Sequence, residues 1–154
     1  MPVKVVVDAS VWVSRLMPDD VHYKASGFWA EQFTDSGNIL VTPAFLLIEV
    51  AASISRVTGQ PDLSRAAIAE INGSSAMEII AMDSAFIQAA ATIAADLRLR
   101  AGDATYVSLA YQLGIPLISW DKEQLERASS LVTTFTPDSY VFETDESDTE
   151  ADDA

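Results

Sequence analysis

Val5-Val6-Val7 is an unbroken β-branched run that stops at an acid, Asp8, followed by the small residues Ala9 and Ser10. A run that is apolar at every position, rather than at every second one, predicts a strand covered on both faces, as in the centre of a parallel sheet. Parallel strands require long crossovers, usually helical. The remainder of the chain reads accordingly. From Val21 to Phe33 the residues Val21, Ala25, Phe28, Trp29 and Phe33 recur at helical spacing, and Gly37-Asn38 closes that helix. Ile39-Leu40-Val41 predicts a second strand, after which Pro43 opens a helix running to about Thr58. Asp62 or Ser64 caps a helix to about Ile71, Met77 to Met82 is a strand, and Asp83 or Ser84 caps an Ala-rich helix to about Leu99. A helix from Ala104 to Leu113, a strand over 115–119, a helix over 122–129 and an edge strand over 131–135 complete the body. Strands alternating with helices predict an open α/β sheet with helices on both faces.

The 154 residues fit one domain that can bury its own core, and the absence of cysteine excludes thiol nucleophiles, disulfides and Cys-type zinc sites. A cytosolic home is the expectation, and the N-terminal apolar run is far too short for a signal segment or a membrane span. The formal charge of −14 argues against a polyanionic partner. Seven of the 23 acids, however, lie in the last twelve residues, which leaves the rest with 16 acids against 9 bases. From Glu143 onward, low hydrophobicity and dense charge predict disorder.

Four acids stand in four different predicted elements. Asp8 closes the first strand, Glu49 interrupts the apolar stretch Phe45 to Ala52, Asp103 starts a helix, and Asp121 follows the strand that ends at Ser119. Each has an ordinary explanation: helix capping for Asp8, Asp103 and Asp121, and a solvent-facing position for Glu49. Capping and metal binding are compatible. Ligands of open α/β sheets gather at the carboxyl ends of strands, where Asp8 and Asp121 both fall. Hard divalent cations take oxygen ligands, and Mg²⁺ needs only a few carboxylates because it keeps several waters. Such a cation can activate water and stabilise the leaving oxygen of a phosphodiester.

The blocks Val6-Val7-Asp8-Ala9-Ser10-Val11, Leu47-Ile48-Glu49-Val50, Gly102-Asp103-Ala104 and Leu117-Ile118-Ser119-Trp120-Asp121 together resemble the PIN domain, in the form found in the VapC toxins of bacterial and archaeal toxin–antitoxin pairs. The likeness spans about Val3 to Phe135. It implies a three-layer α/β fold with a central parallel sheet, a nuclease domain over residues 1–138 and an acidic tail over 139–154. It further implies an endoribonuclease, a hydrolase of RNA phosphodiester bonds, using Mg²⁺ or Mn²⁺. Asp8 and Asp103 would hold the metal, Glu49 and Asp121 would complete the pocket, and the Ser10 and Ser119 hydroxyls would orient ligands or waters. A homodimer and a small cognate antitoxin whose C-terminal segment crosses the acidic groove are implied as partners.

Arg98, Arg100 and Lys122 flank the third and fourth acids and are the candidates for RNA phosphate contacts, with exposed helix-end cations as the plainer explanation. The single histidine, His22, beside Asp19 and Asp20, is expected on the surface in a first helical turn. Trp120 either stacks on a base or packs against a helix, and Phe28, Trp29 and Phe33 read as core with a share available to a partner. A phosphate-accepting receiver domain would want paired acids after the first strand, and a haloacid-dehalogenase-like phosphatase a second Asp where Ser10 stands. The rivals that remain are an RNA-processing nuclease that is not a toxin and a PIN-like binding module without catalysis.

Overall fold

A computed structural model describes residues 1–142, so the expectation of disorder from Glu143 concerns residues outside those described. The elements are β1 (Lys4–Val7), α1 (Ala9–Leu16), α2 (Tyr23–Asp35), β2 (Ile39–Pro43), α3 (Phe45–Thr58), α4 (Pro61–Gly73), β3 (Met77–Ile80), α5 (Ser84–Leu97), α6 (Ala101–Leu113), β4 (Leu117–Ile118), α7 (Lys122–Ala128) and β5 (Thr134–Phe135). The five strands form one sheet in the order β3-β2-β1-β4-β5, every neighbouring pair parallel. β1 is central, as its β-branched run predicted. Val5, Val6 and Val7 point alternately to opposite faces, yet none is more than 1% exposed, so both faces are covered and the fold has three layers.

Parallel pairing obliges the chain to return across the sheet, and it does so through helical hairpins: α3 packs on α4 and α5 on α6. The buried α6, with Tyr106, Val107, Leu109 and Ala110 in the core, lies against β1 and β2. Strand order reverses at β1, which has β2 on one side and β4 on the other, and the crevice of such sheets opens at that point.

Several local expectations are corrected. Pro43 ends β2 instead of opening a helix: the ladder with β3 reaches it, opposite Ile80, and the Ala44 N–H still donates to the Ile80 carbonyl at 2.9 Å. Neither Asp62 nor Ser64 caps α4, which starts at Pro61; Asp62 pairs with Arg65 at 2.7 Å and the Ser64 hydroxyl donates to the Ala51 carbonyl at 2.8 Å. Gly102 and Asp103 do not precede α6 but sit in its first turn, after an N-cap at Arg100. The tail boundary at residue 139 falls too early, because Tyr140 and Phe142 pack against the core, with Tyr140 edge-on to Trp29 and Phe33 at 5.9 and 5.6 Å. Among the described residues, no helix is long and apolar enough to cross a membrane.

Candidate functional site

Asp8 leaves β1 extended, caps α1, and is only 4% exposed. Its Oδ1 accepts from the Ser10 hydroxyl at 2.6 Å and from the Ser10 and Val11 N–H groups at 3.1 and 3.4 Å; its Oδ2 accepts from the Ser119 hydroxyl at 2.6 Å. Burial nonetheless pushes the carboxyl up to about 7, outweighing those bonds, and the charge of Asp103 pushes in the same direction. The capping explanation is therefore realised in this side chain.

Ser119 ties the strand ends together. Besides Asp8, it accepts from the Asp121 N–H at 2.9 Å and lies 3.1 Å from Gln124 Oε1. Asp121 caps α7 by accepting from the Gln124 N–H at 3.1 Å, and the Gln124 amide donates to the Asp103 carbonyl at 3.3 Å. Gln124 is 1% exposed, so this chain of bonds links β1, β4, α6 and α7 out of bulk water.

Glu49, in the second turn of α3, accepts from the Tyr106 hydroxyl at 2.8 Å through Oε2. A Cβ at Gly102 would stand 2.2 Å from Glu49 Oε1, the movable end of that side chain, so a larger residue there would push the carboxylate aside. Partial burial raises the Glu49 carboxyl, the Tyr106 bond lowers it, and Asp103 raises it again. Asp103 is raised by burial first and then by Asp121, with Arg100, whose Nε lies 3.9 Å away, working the other way. Tyr106 is pushed upward by burial and by Glu49, and stays a hydroxyl donor.

Asp103 is thus the hub, since its charge acts on Asp8 and Glu49 and is acted on by Asp121. Asp8 follows β1, Asp121 follows β4 and caps α7, Glu49 lies in α3 and Asp103 in the first turn of α6. Among the described residues, no three acid or histidine side chains form a ready-made cage. Asp8 is drawn onto the serines, Glu49 onto Tyr106 and Asp121 onto Gln124. The donor set is all oxygen, carries excess negative charge and is countered by one exposed arginine. That chemistry fits a hard divalent cation which keeps part of its water.

The expected cations lie at the fringe. Arg98 ends α5 in a left-handed conformation, Arg100 also approaches Glu123 at 3.9 Å, and Lys122 is exposed at the start of α7. His22 is not a free surface residue: its ring stacks on Trp120 at 3.8 Å, nearly parallel. Of the aromatic trio, Trp29 and Phe33 are core and Phe28 is 72% exposed. Tyr106 and Gln124 escaped the reading of the sequence. Tyr106 stands three residues after Asp103, on the same helical face, and that spacing was the available signal.

An all-parallel five-stranded sheet with helices on both faces defines the class of three-layer α/β proteins. The PIN domain model matches residues 5–130, and the chain belongs to that family. No curated protein matches the sequence. Among solved structures, the fold is similar to Mycobacterium tuberculosis VapC20, described as a sarcin–ricin loop cleaving toxin, at TM-score 0.69 and 19% identity over 83% of this chain and 96% of that one. It is also similar to VapBC2 from Rickettsia felis bound to a DNA fragment from its promoter, at 0.66 and 12% over 86% and 98%. FitAB bound to a DNA fragment aligns at 0.65 and 14% over 90% and 98%.

Proposed function

We propose that this chain is a metal-dependent endoribonuclease that hydrolyses RNA phosphodiester bonds, acting as the toxin of a VapBC-type pair. The observation that carries the reading is the bond network through Ser119 and Gln124, which joins Asp8, Asp121 and the Asp103 backbone at the strand ends of a chain that the PIN domain model matches. Partly buried acids whose charges raise one another are unfavourable without a cation, which supports one here. Asp8 and Asp103 are the primary ligands in this reading, with Glu49 and Asp121 completing the set directly or through water. Bound Mg²⁺ or Mn²⁺ would supply a more acidic bound water and charge stabilisation at phosphorus. The Ser10 and Ser119 hydroxyls hold the Asp8 carboxylate, and the Tyr106 hydroxyl holds that of Glu49. Arg98, Arg100 and Lys122 are the proposed phosphate contacts.

Among the similar folds, VapBC2 is bound to a DNA fragment from its promoter, FitAB to a DNA fragment, and one is a toxin–antitoxin complex from Klebsiella pneumoniae; these support a cognate antitoxin, and a homodimer is proposed with it. The test is Mn²⁺-dependent cleavage of a panel of structured RNAs, a sarcin–ricin-type loop included, with Asp8→Asn and Asp103→Asn as controls. Cleavage abolished by both substitutions is expected. No turnover on any RNA by folded, metal-loaded protein refutes the enzyme. Expression of the chain alone against its Asp8→Asn form tests the toxin: unimpaired growth with active nuclease would make it an RNA-processing enzyme.

A further inference from the structure

A cavity of ≈ 270 Å³ is walled by Ser10, which donates to Asp8, together with Ser14, Asp20, His22, Ser53 and Trp120. It shares a wall with the acid cluster, because the Ser10 hydroxyl that donates to Asp8 also accepts from the Trp120 N–H at 3.0 Å. Trp120 is held firmly. Its indole N–H donates to the Ser26 hydroxyl at 2.7 Å, which is 2.6 Å from that of Ser14. His22 lies parallel on it, so the cavity has a fixed two-ring aromatic wall.

The polar groups at that wall are not used up. Among the described residues, the His22 ring nitrogens and the Ser53 hydroxyl make no hydrogen bond. Asp20 uses only Oδ1, which accepts from the His22 N–H at 2.8 Å. No lysine or arginine lines the cavity, and one carboxylate does, which disfavours a phosphate there. The volume is below the roughly 300 Å³ at which ordinary ligand pockets begin, and suits one planar group. An aromatic wall with edge acceptors and donors is how proteins hold a splayed-out, unpaired base.

The geometry points to a subsite for one unpaired nucleobase adjacent to the cleaved phosphate, with Asp20 accepting from an amino-bearing edge. The inference rests on the nuclease reading for its place in the reaction, but base binding itself needs no metal. Guanine, with N1–H and N2–H side by side, matches a carboxylate best; uracil offers a single N–H donor. RNA reaching the acids with its phosphate would thus be read one nucleotide away.

The test titrates the metal-free protein with guanosine and with uridine, following tryptophan fluorescence. Trp12 and Trp29 are 3% and 2% exposed, so Trp120 is the indole a ligand here would touch. Guanosine is expected to change the emission and bind about tenfold tighter than uridine, and Asp20→Asn to remove that preference, the loss of one charge-assisted bond. His22→Ala should weaken both nucleosides, while Asp8→Asn should leave guanosine binding intact. Circular dichroism checks that each variant is folded. Absence of guanosine binding, or an unchanged preference in folded Asp20→Asn, overturns the subsite. The two readings fail separately: guanosine binding without RNA cleavage sinks the nuclease alone, and cleavage without it sinks the subsite alone.

Discussion

Replacing Asp8 by Asn should make the metal-free protein more stable at pH 8 while abolishing function. Burial raises the Asp8 carboxyl from 3.8 to about 7, so between those values the folded state holds a proton that the unfolded chain has released. Stability therefore falls as pH rises through that window. The penalty is absent below the unfolded value and complete above the folded one. At about 1.4 kcal/mol for each tenfold change, the span corresponds to at most ~4 kcal/mol at pH 8. Asn keeps an acceptor for the Val11 and Ser10 N–H groups but loses the charge behind the bonds from the Ser10 and Ser119 hydroxyls, returning roughly 1–2 kcal/mol. The net gain is about 2 kcal/mol, several degrees in Tm for a domain of this size. Melting both proteins in EDTA at pH 4 and pH 8 reads it directly: the Asn form should melt higher at pH 8 and no higher at pH 4. Adding Mn²⁺ should raise Tm for the Asp form far more than for the Asn form. An Asn variant destabilised equally at both pH values would show that Asp8 is an ordinary structural cap and not a strained, cation-seeking carboxylate.

Tyr106→Phe should cost about 1 kcal/mol in denaturant unfolding, since water can reach the half-buried Glu49 oxygen, yet lower the RNA cleavage rate about tenfold by freeing that carboxylate. Gly102→Ala separates stability from activity in the opposite way. Alanine is worth up to about 1 kcal/mol over glycine in a helix, but its Cβ would force Glu49 aside from 2.2 Å, so an unchanged or raised Tm with weakened Mn²⁺ binding by calorimetry is expected. Apparent Mn²⁺ affinity should rise up to about tenfold for each pH step from 5 towards 7 and level off above it, as the Asp8 proton ceases to compete; a flat profile would remove Asp8 from the ligands.

Much of the site was legible because its residues also obey local rules. Asp8 and Asp121 cap the helices that follow their strands, and a cap after a strand is visible in sequence. Glu49 was conspicuous as an acid within an apolar helix. The β-branched run of β1 dictated a central parallel strand, and with it the alternating architecture and a crevice at the strand ends. Pro43 was misread because helix-start chemistry and strand-end chemistry are the same for a residue without an N–H; only the partner strand, reaching Ile80, decided between them.

Other features depended on distance in space between residues remote in sequence. The Tyr106 hydroxyl meets Glu49 across 57 positions, Ser119 meets Asp8 across 111, and Trp120 meets Ser26 across 94. No periodicity encodes such meetings, because each follows from how whole helices seat on the sheet. The raised Asp8 carboxyl likewise follows from neighbours that exclude water and from Asp103 nearby, neither written in the residues around it. Local chemistry determined that Asp8 and Asp121 stand at element ends; packing decided that Ser119 joins them and that a serine- and tryptophan-walled cavity opens at Ser10.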